Sequence, residues 1–324
     1  MTIRLACVLL LGAQLVPAAW TLYTCMATSK GYVVGAKLPP SGIFRREPDG
    51  KWTHAGYNHP FTFGLAQGSG QMYLAAGNGL IGMRNRATEW KILTGSDVTE
   101  LRDVSTGPDG SIWFAHTAGL RVSRDGGSTW LELSGALPRR YSEAIRVSRK
   151  DASVAITGGE NGLYRTTDGG GTWQLAGADG WQIMAIEQSP HDPCYWAAAT
   201  QGGGLFASTD CGRSFENVGR IGVGRVLHSI AFHPSDPKRI AIAGWGFGIA
   251  VSEDLGRNWT FRNSGLPSAD VWSVAYEPGS KDRLFASVHE EAVFRSEDGG
   301  RRWVRDGLEG SYVTRMLFVQ EPAR

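Results

Sequence analysis

Ser296-Glu297-Asp298-Gly299-Gly300-Arg301-Arg302-Trp303 is the last of five copies of one eight-residue pattern: Ser or Thr, any, Asp, any, Gly, any, any, aromatic. The other copies are Ser123–Trp130, Thr166–Trp173, Ser208–Phe215 and Ser252–Trp259. Their aspartates, Asp125, Asp168, Asp210, Asp254 and Asp298, follow at steps of 43, 42, 44 and 44 residues. A fixed period of about 40–45 residues marks a propeller or similar repeat array.

Within each copy the residue types suit the tip of a β-hairpin. Ser123 and Asp125 have short side chains that can hydrogen-bond backbone amides inside a tight turn. Gly127 supplies backbone angles that a side chain would forbid, and Trp130 opens the next strand with a large ring for packing between hairpins. A calcium loop would need a D-x-D-x-D-G ladder and a distant Glu, which the copies lack. The aspartates therefore read as turn staples, and no metal site is expected from them.

S-x-D-x-G-x-x-W resembles the Asp box, or BNR repeat, of sialidases, xyloglucanases, sortilin-type receptors and photosystem II assembly factors. The likeness extends over nearly all of the chain after residue 30. It implies a propeller in which the box is a folding element set away from the functional site.

Two decayed copies extend the series backwards. Trp90 closes one in which Asn85 and Ala87 replace the Asp and the Gly, and Trp52 closes another with Glu47 in the Asp position. Counting Trp52, Trp90, Trp130, Trp173, Phe215, Trp259 and Trp303 gives seven units. Each full unit carries four apolar or alternating runs, as strands require; in the sixth they are 226–232, 239–243, 248–253 and 258–262. We call them A, innermost, to D, outermost. The first unit starts with a B-like run at 31–37, followed by C at 42–46 and D at 51–55, and its missing A strand stands at 312–319. A C-terminal strand that completes the first blade closes the ring and removes exposed sheet edges. The expectation is an all-β, single seven-bladed propeller over residues 27–324. Glycine, at 44 of 324 residues, is about twice its usual ~7 %, as a turn-rich repeat demands. A net charge of +2 with no basic stripe argues against a nucleic-acid groove.

Residues 1–26 read as a leader. Arg4, the apolar run Leu5–Val16 and Pro17-Ala18-Ala19 have the layout of a signal peptide cut near Ala18 or Ala19, which places the protein outside the cytoplasm. The uncharged stretch to Ser29 also suits an uncleaved anchor with Trp20 and Tyr23 at the membrane interface. Translation from Met26 would instead leave the chain in the cytoplasm. Of the cysteines, Cys194 opens strand B of the fifth blade and Cys211 lies in its box. They stand about equally far from the intervening B–C turn, which places them opposite one another, close enough for a disulfide and in favour of an oxidising compartment.

Because strand direction alternates, D–A and B–C loops share one face and the boxes, as C–D turns, share the other. A site at the channel mouth opposite the boxes draws on the first set. The D–A loops offer Tyr57 and His59, then Arg139, Arg140 and Tyr141, then Trp181, Arg225 and His228, and finally Trp272, Tyr312 and Arg315. The B–C loops add Trp245 and His289. Aromatics with mixed charge suit a glycan, a peptide or an extended polar ligand. His59, His228 and His289 come from separate blades without ligand-like spacing, so no metal or other cofactor is expected.

Two functions fit this inventory. One is a non-catalytic binding or assembly module, expected to be monomeric, with a protein or carbohydrate ligand. It resembles the photosystem II assembly factors in having a leader and one seven-bladed ring. The other is a glycoside hydrolase with Glu143, Asp270 and Glu290 as candidate acid, base or nucleophile, which needs two carboxylates about 5–5.5 or 6.5–9.5 Å apart. The Arg-Ile-Pro segment of sialidases is absent, and xyloglucanases of this class build their cleft between two propellers.

Overall fold

The structure, a computed structural model, describes residues 20–28, 40–68, 70–133, 135, 137–138 and 141–321. Among these residues there are twenty-eight strands and no α-helix. Nearly all strands pair antiparallel with their sequence neighbours, giving five four-stranded sheets and one eight-stranded sheet. The larger one is two successive four-strand meanders joined because the long strand Val223–Phe232 also pairs with Trp196–Gly203.

The innermost strands are Thr62–Gln67, Leu101–Thr106, Ser142–Val147, Gln182–Gln188, Val223–Phe232, Val271–Tyr276 and Ser311–Gln320. Each lies beside the next, and Ser311–Gln320 lies beside Thr62–Gln67, so the succession returns to its start. Each sheet packs both faces against neighbours, which explains why strands such as Met72–Ala76, Ile112–His116 and Leu284–Val288 are buried along their whole length. Trp113 and Trp196, both 0 % exposed, are the largest side chains of these layers. Their indole N–H groups donate to Ser111 Oγ and the Pro193 carbonyl, at 3.0 and 3.1 Å, as buried indoles must.

The repeated stretch makes the same hydrogen bonds each time. Ser123 Oγ donates to Asp125 Oδ1 at 2.8 Å and accepts from Gly127 N at 2.8 Å, while Asp125 Oδ1 accepts from Thr129 N at 2.9 Å. The same bonds recur at Thr166/Asp168, Ser208/Asp210, Ser252/Asp254 and Ser296/Asp298. The glycine is required: at Gly170, φ is +96° and a Cβ would lie 2.6 Å from Leu133. Hydrogen bonds from Thr129 and Ser123 hold the Asp125 carboxyl at about 2, and those from Thr172 and Thr166 do the same for Asp168. Cys194 and Cys211 form a disulfide, and Cys211 N donates to the Cys194 carbonyl at 3.1 Å.

The N-terminal expectation needs correction. The strand beside Ser311–Gln320 is Trp20–Thr28, paired from Trp20↔Gln320 to Thr28↔Ser311 and on its other edge to Gly42–Arg46. Residues assigned to the leader are thus the second strand of the closing sheet, and the expected run at 31–37 lies outside the described residues, as does 1–19. Tyr23 is buried in the core rather than at a membrane interface, Cys25 is a buried free thiol, and Met26 falls inside the strand. An apolar run suits a strand buried on both faces as well as it suits a leader. Among the described residues no helix is long and apolar enough to cross a membrane.

Candidate functional site

A β-bulge interrupts the innermost ladder at the same point in seven strand pairs. The residues left out of register are Phe63, Arg102, Glu143, Met184, His228, Trp272 and Thr314. Bulges re-aim side chains, and all seven line one cavity of about 510 Å³ at the end of the channel opposite the boxes.

The cavity has two unlike arcs. On one, the Arg102 guanidinium lies 5.1 Å from the Phe63 ring centroid and 6.0 Å from that of Tyr141. Tyr141 donates to Glu143 Oε2, and Arg102 Nε stands 3.9 Å from the same oxygen. Burial pushes the Glu143 carboxyl above its ordinary range, against the opposing pull of Tyr141 and Arg102. On the other arc His228 stacks on Trp272 with centroids 4.3 Å apart, and Tyr312 lies at 5.5 Å from Trp272. Trp272 Nε1 donates to His289 Nδ1 at 2.8 Å. His289 therefore carries its proton on Nε2, the nitrogen 3.9 Å from Glu290 Oε1. Burial pushes His228 down to about 4, so its ring is neutral near pH 7.

The channel floor is an ion cluster. Arg146 reaches Asp103 at 3.0 Å and Glu187 at 3.0 Å, and Arg315 pairs with Glu187 from the opposite side. Burial pushes the Glu187 carboxyl up, and the two guanidinium groups outweigh it to hold it at about 2. Arg315 borders this cavity and a second one at the box end.

Of the residues singled out in the sequence, Tyr141, Glu143, His228, Trp272, His289, Glu290, Tyr312 and Arg315 meet at the mouth. Others do not line it. Tyr57 is 3 % exposed, bonded to Asn78, and packed with His59 and Trp90; His59 turns to the Phe61 carbonyl at 3.2 Å. Trp181 lies against Gly203, where a Cβ would meet its ring at 2.7 Å. Trp245 touches Trp272 and His289 from behind, and Arg225 lies along Gly246. Asp270 Oδ1 accepts from Gly246 N at 2.9 Å, fixing a loop. Arg139 and Arg140 lie outside the described residues. The sequence reading does not single out Phe63, Arg102, Met184 and Thr314; they stand second, second, third and fourth in their inner strands, so no fixed position in the run signals them. Among the described residues no group of three or more His, Cys, Asp or Glu could hold a metal ion.

No family model and no curated protein matches the chain. Solved structures do. The GH74 xyloglucanase from Xanthomonas campestris aligns at TM-score 0.64 and 18 % identity, over 75 % of this chain and 45 % of that one. YCF48 from Cyanidioschyzon merolae aligns at 0.61 and 18 %, over 77 % and 86 %. The extracellular domain of a hybrid two-component system from B. thetaiotaomicron aligns at 0.64 and 13 %, over 94 % and 39 %. The chain thus spans about half the length, 45 %, of the GH74 enzyme. At these identities the likeness shows the fold: the chain is a β-propeller.

Proposed function

We propose that the chain is a single seven-bladed Asp-box propeller, exported behind a leader that ends at Ala18 or Ala19, and that its channel mouth binds a protein or glycan without catalysing a reaction on it. The observation that carries this reading is the bulge ring, which turns the most regular position of the inner strands into a set of unlike side chains facing one cavity. Pockets of about 300–1,000 Å³ with apolar walls and a few polar groups are the usual form of a ligand site. The candidate ligand contacts are Tyr141, Trp272, His289, Tyr312 and Arg315, joined by Phe63 and Arg102. The candidate carboxylates have partners within the protein: Asp270 is engaged by Gly246, Glu143 by Tyr141, and Glu290 stands beside His289. One solved YCF48 is bound to D1 peptide, a precedent for a propeller of this shape holding a peptide. The disulfide suits an oxidising compartment.

One observation favours the glycoside hydrolase reading: Glu143, raised by burial, and Glu290 line the same cavity, and a raised carboxyl is what a general acid requires. Both readings meet in one experiment. Protein that begins at or before Trp20 is screened for thermal stabilisation by glycans and peptides and for hydrolysis of aryl glycosides. Stabilisation without turnover, weakened by Tyr312→Ala, is the expected result. Turnover abolished by Glu143→Gln or Glu290→Gln overturns it in favour of the hydrolase.

A further inference from the structure

The box end of the channel holds a second cavity, of about 670 Å³, on the far side of the ion cluster from the mouth. Its walls come from the later residues of the inner strands, among them Leu65, Val147, Ile230, Val274 and Phe318, with Trp20 and the turn prolines Pro190, Pro234 and Pro278 around the opening. Phe232, Leu317 and Phe318 line it and are only half-buried, so they turn apolar surface toward the cavity, backed by the buried Val147, Ile230 and Val274.

Charge distinguishes the two ends. The charged side chains that line this cavity are Arg146, Arg149, Arg315 and Glu187, three cations to one anion. Those at the mouth are Arg102, Arg315, Asp103, Glu143 and Glu290, two cations to three acids. Arg146 and Arg315 are committed to Glu187. Arg149 stands exposed in the turn that follows the strand Ser142–Val147, and its charge adds to the pull that holds Glu187 ionised. The hydrogen-bonding groups of Ser105 and Ser229 are satisfied by Val147 N and by the backbone of Val274. The walls therefore offer dispersion and apolar burial, and the unbalanced charge is positive.

We infer that this cavity is a binding site for an amphiphilic anion, an unbranched apolar chain ending in a carboxylate, with the chain between the inner strands and the carboxylate at Arg149. Each methylene moved from water into such a wall raises affinity about fourfold at most, so affinity grows with chain length. The site lies on the other side of the ion cluster from the mouth, and Arg315 is the residue the two cavities share.

Dodecanoate and dodecyltrimethylammonium below their micelle concentrations, and dodecanol below its solubility limit, are titrated against the purified protein, with calorimetry and tryptophan fluorescence as readouts; Trp20 at the opening is the reporter. Dodecanoate is expected to bind at one saturable site, at least tenfold more tightly than the ammonium. Arg149→Glu, at an exposed position, is expected to reverse that preference, and Ala231→Trp to abolish binding by filling the cavity. Because Ala231→Trp can disturb folding, Gln67→Trp at the exposed rim is the second blocking variant. Trp20→Phe is expected to remove most of the fluorescence change. Equal affinity for all three amphiphiles, or an Arg149→Glu protein that keeps the wild-type order, overturns the proposal, as does a fluorescence change that survives Trp20→Phe in full.

Discussion

At the box turns, unit after unit sets the same side chains into the same hydrogen bonds: a hydroxyl on an aspartate, the aspartate on an amide four residues later. At the inner-strand bulges, on the opposite end of the same sheets, unit after unit places something different: Phe63, Arg102, Glu143, Met184, His228, Trp272, Thr314. Both positions recur with one period along the chain. A turn that must form alone admits few solutions, because short polar side chains must accept from its amides and a glycine must take its left-handed angle against the neighbouring hairpin. A bulge residue is left out of the ladder by the backbone itself, and its side chain is free to be anything that fits the cavity. Repetition thus reports on folding, and variation at a repeated position reports on recognition.

If that division is right, damage at the two ends has different consequences. The largest effect is expected from removing residues 1–25, which deletes most of the strand Trp20–Thr28 and leaves both neighbouring strands with open edges. Circular dichroism and gel filtration should show a chain that no longer folds cooperatively, and a native-like melt would show that the ring closes without it. Next comes the disulfide: replacing Cys194 and Cys211 by serine releases a loop of 17 residues and is expected to lower stability by about 3 kcal/mol, read by chemical denaturation. A single box change, Asp168→Ala, removes the acceptor of Thr172 N and of two hydroxyls. It is expected to lower the denaturation midpoint by less than loss of the disulfide does, without altering any ligand response at the mouth. Smallest in stability is Glu290→Gln, expected within about 0.5 kcal/mol of wild type, yet weakening whatever ligand the mouth proves to hold. A box variant that changed binding, or a mouth variant that unfolded the protein, would break the comparison.

Acid sharpens it further, because the two ends titrate in different windows. His228 is neutral in the fold down to about 4 against an ordinary 6.5, so the unfolded chain binds the proton first and stability falls as pH drops between those values. Asp125 and Asp168 are held at about 2 against an ordinary 3.8; what they contribute is present above 3.8 and is lost as pH falls through 2. His228→Phe is expected to flatten the upper part of a stability–pH profile and leave the lower part unchanged.

Much of this was legible in the sequence, and the failures have physical causes. The boxes, the pairing of Cys194 with Cys211, the strand Gly42–Arg46 and the closing strand near 312–319 follow from residue types with one good structural use. Residues 20–26 read as part of the leader because an uncharged stretch that suits a strand buried on both faces also suits a leader. Phe63, Arg102, Met184 and Thr314 were missed because inward and outward residues alternate only where the ladder is regular, and a bulge shifts that alternation. Tyr57 and Asp270 sit in the right loops, but a buried hydrogen bond to Asn78 and a bond to Gly246 N hold them for the fold.

The pairing of Trp20 with Gln320 has a mechanical meaning. The chain enters and leaves the ring side by side, at the box end, across the thickness of the sheets from the aromatic mouth. A tether joined close to Trp20 or Gln320, whether to a surface, a membrane or another polypeptide, would present the mouth outward like a cup on a stem. The same tether would crowd the box-end cavity, whose opening Trp20 borders. Fusion close to either of these residues is therefore a way to mask one end of the channel while displaying the other.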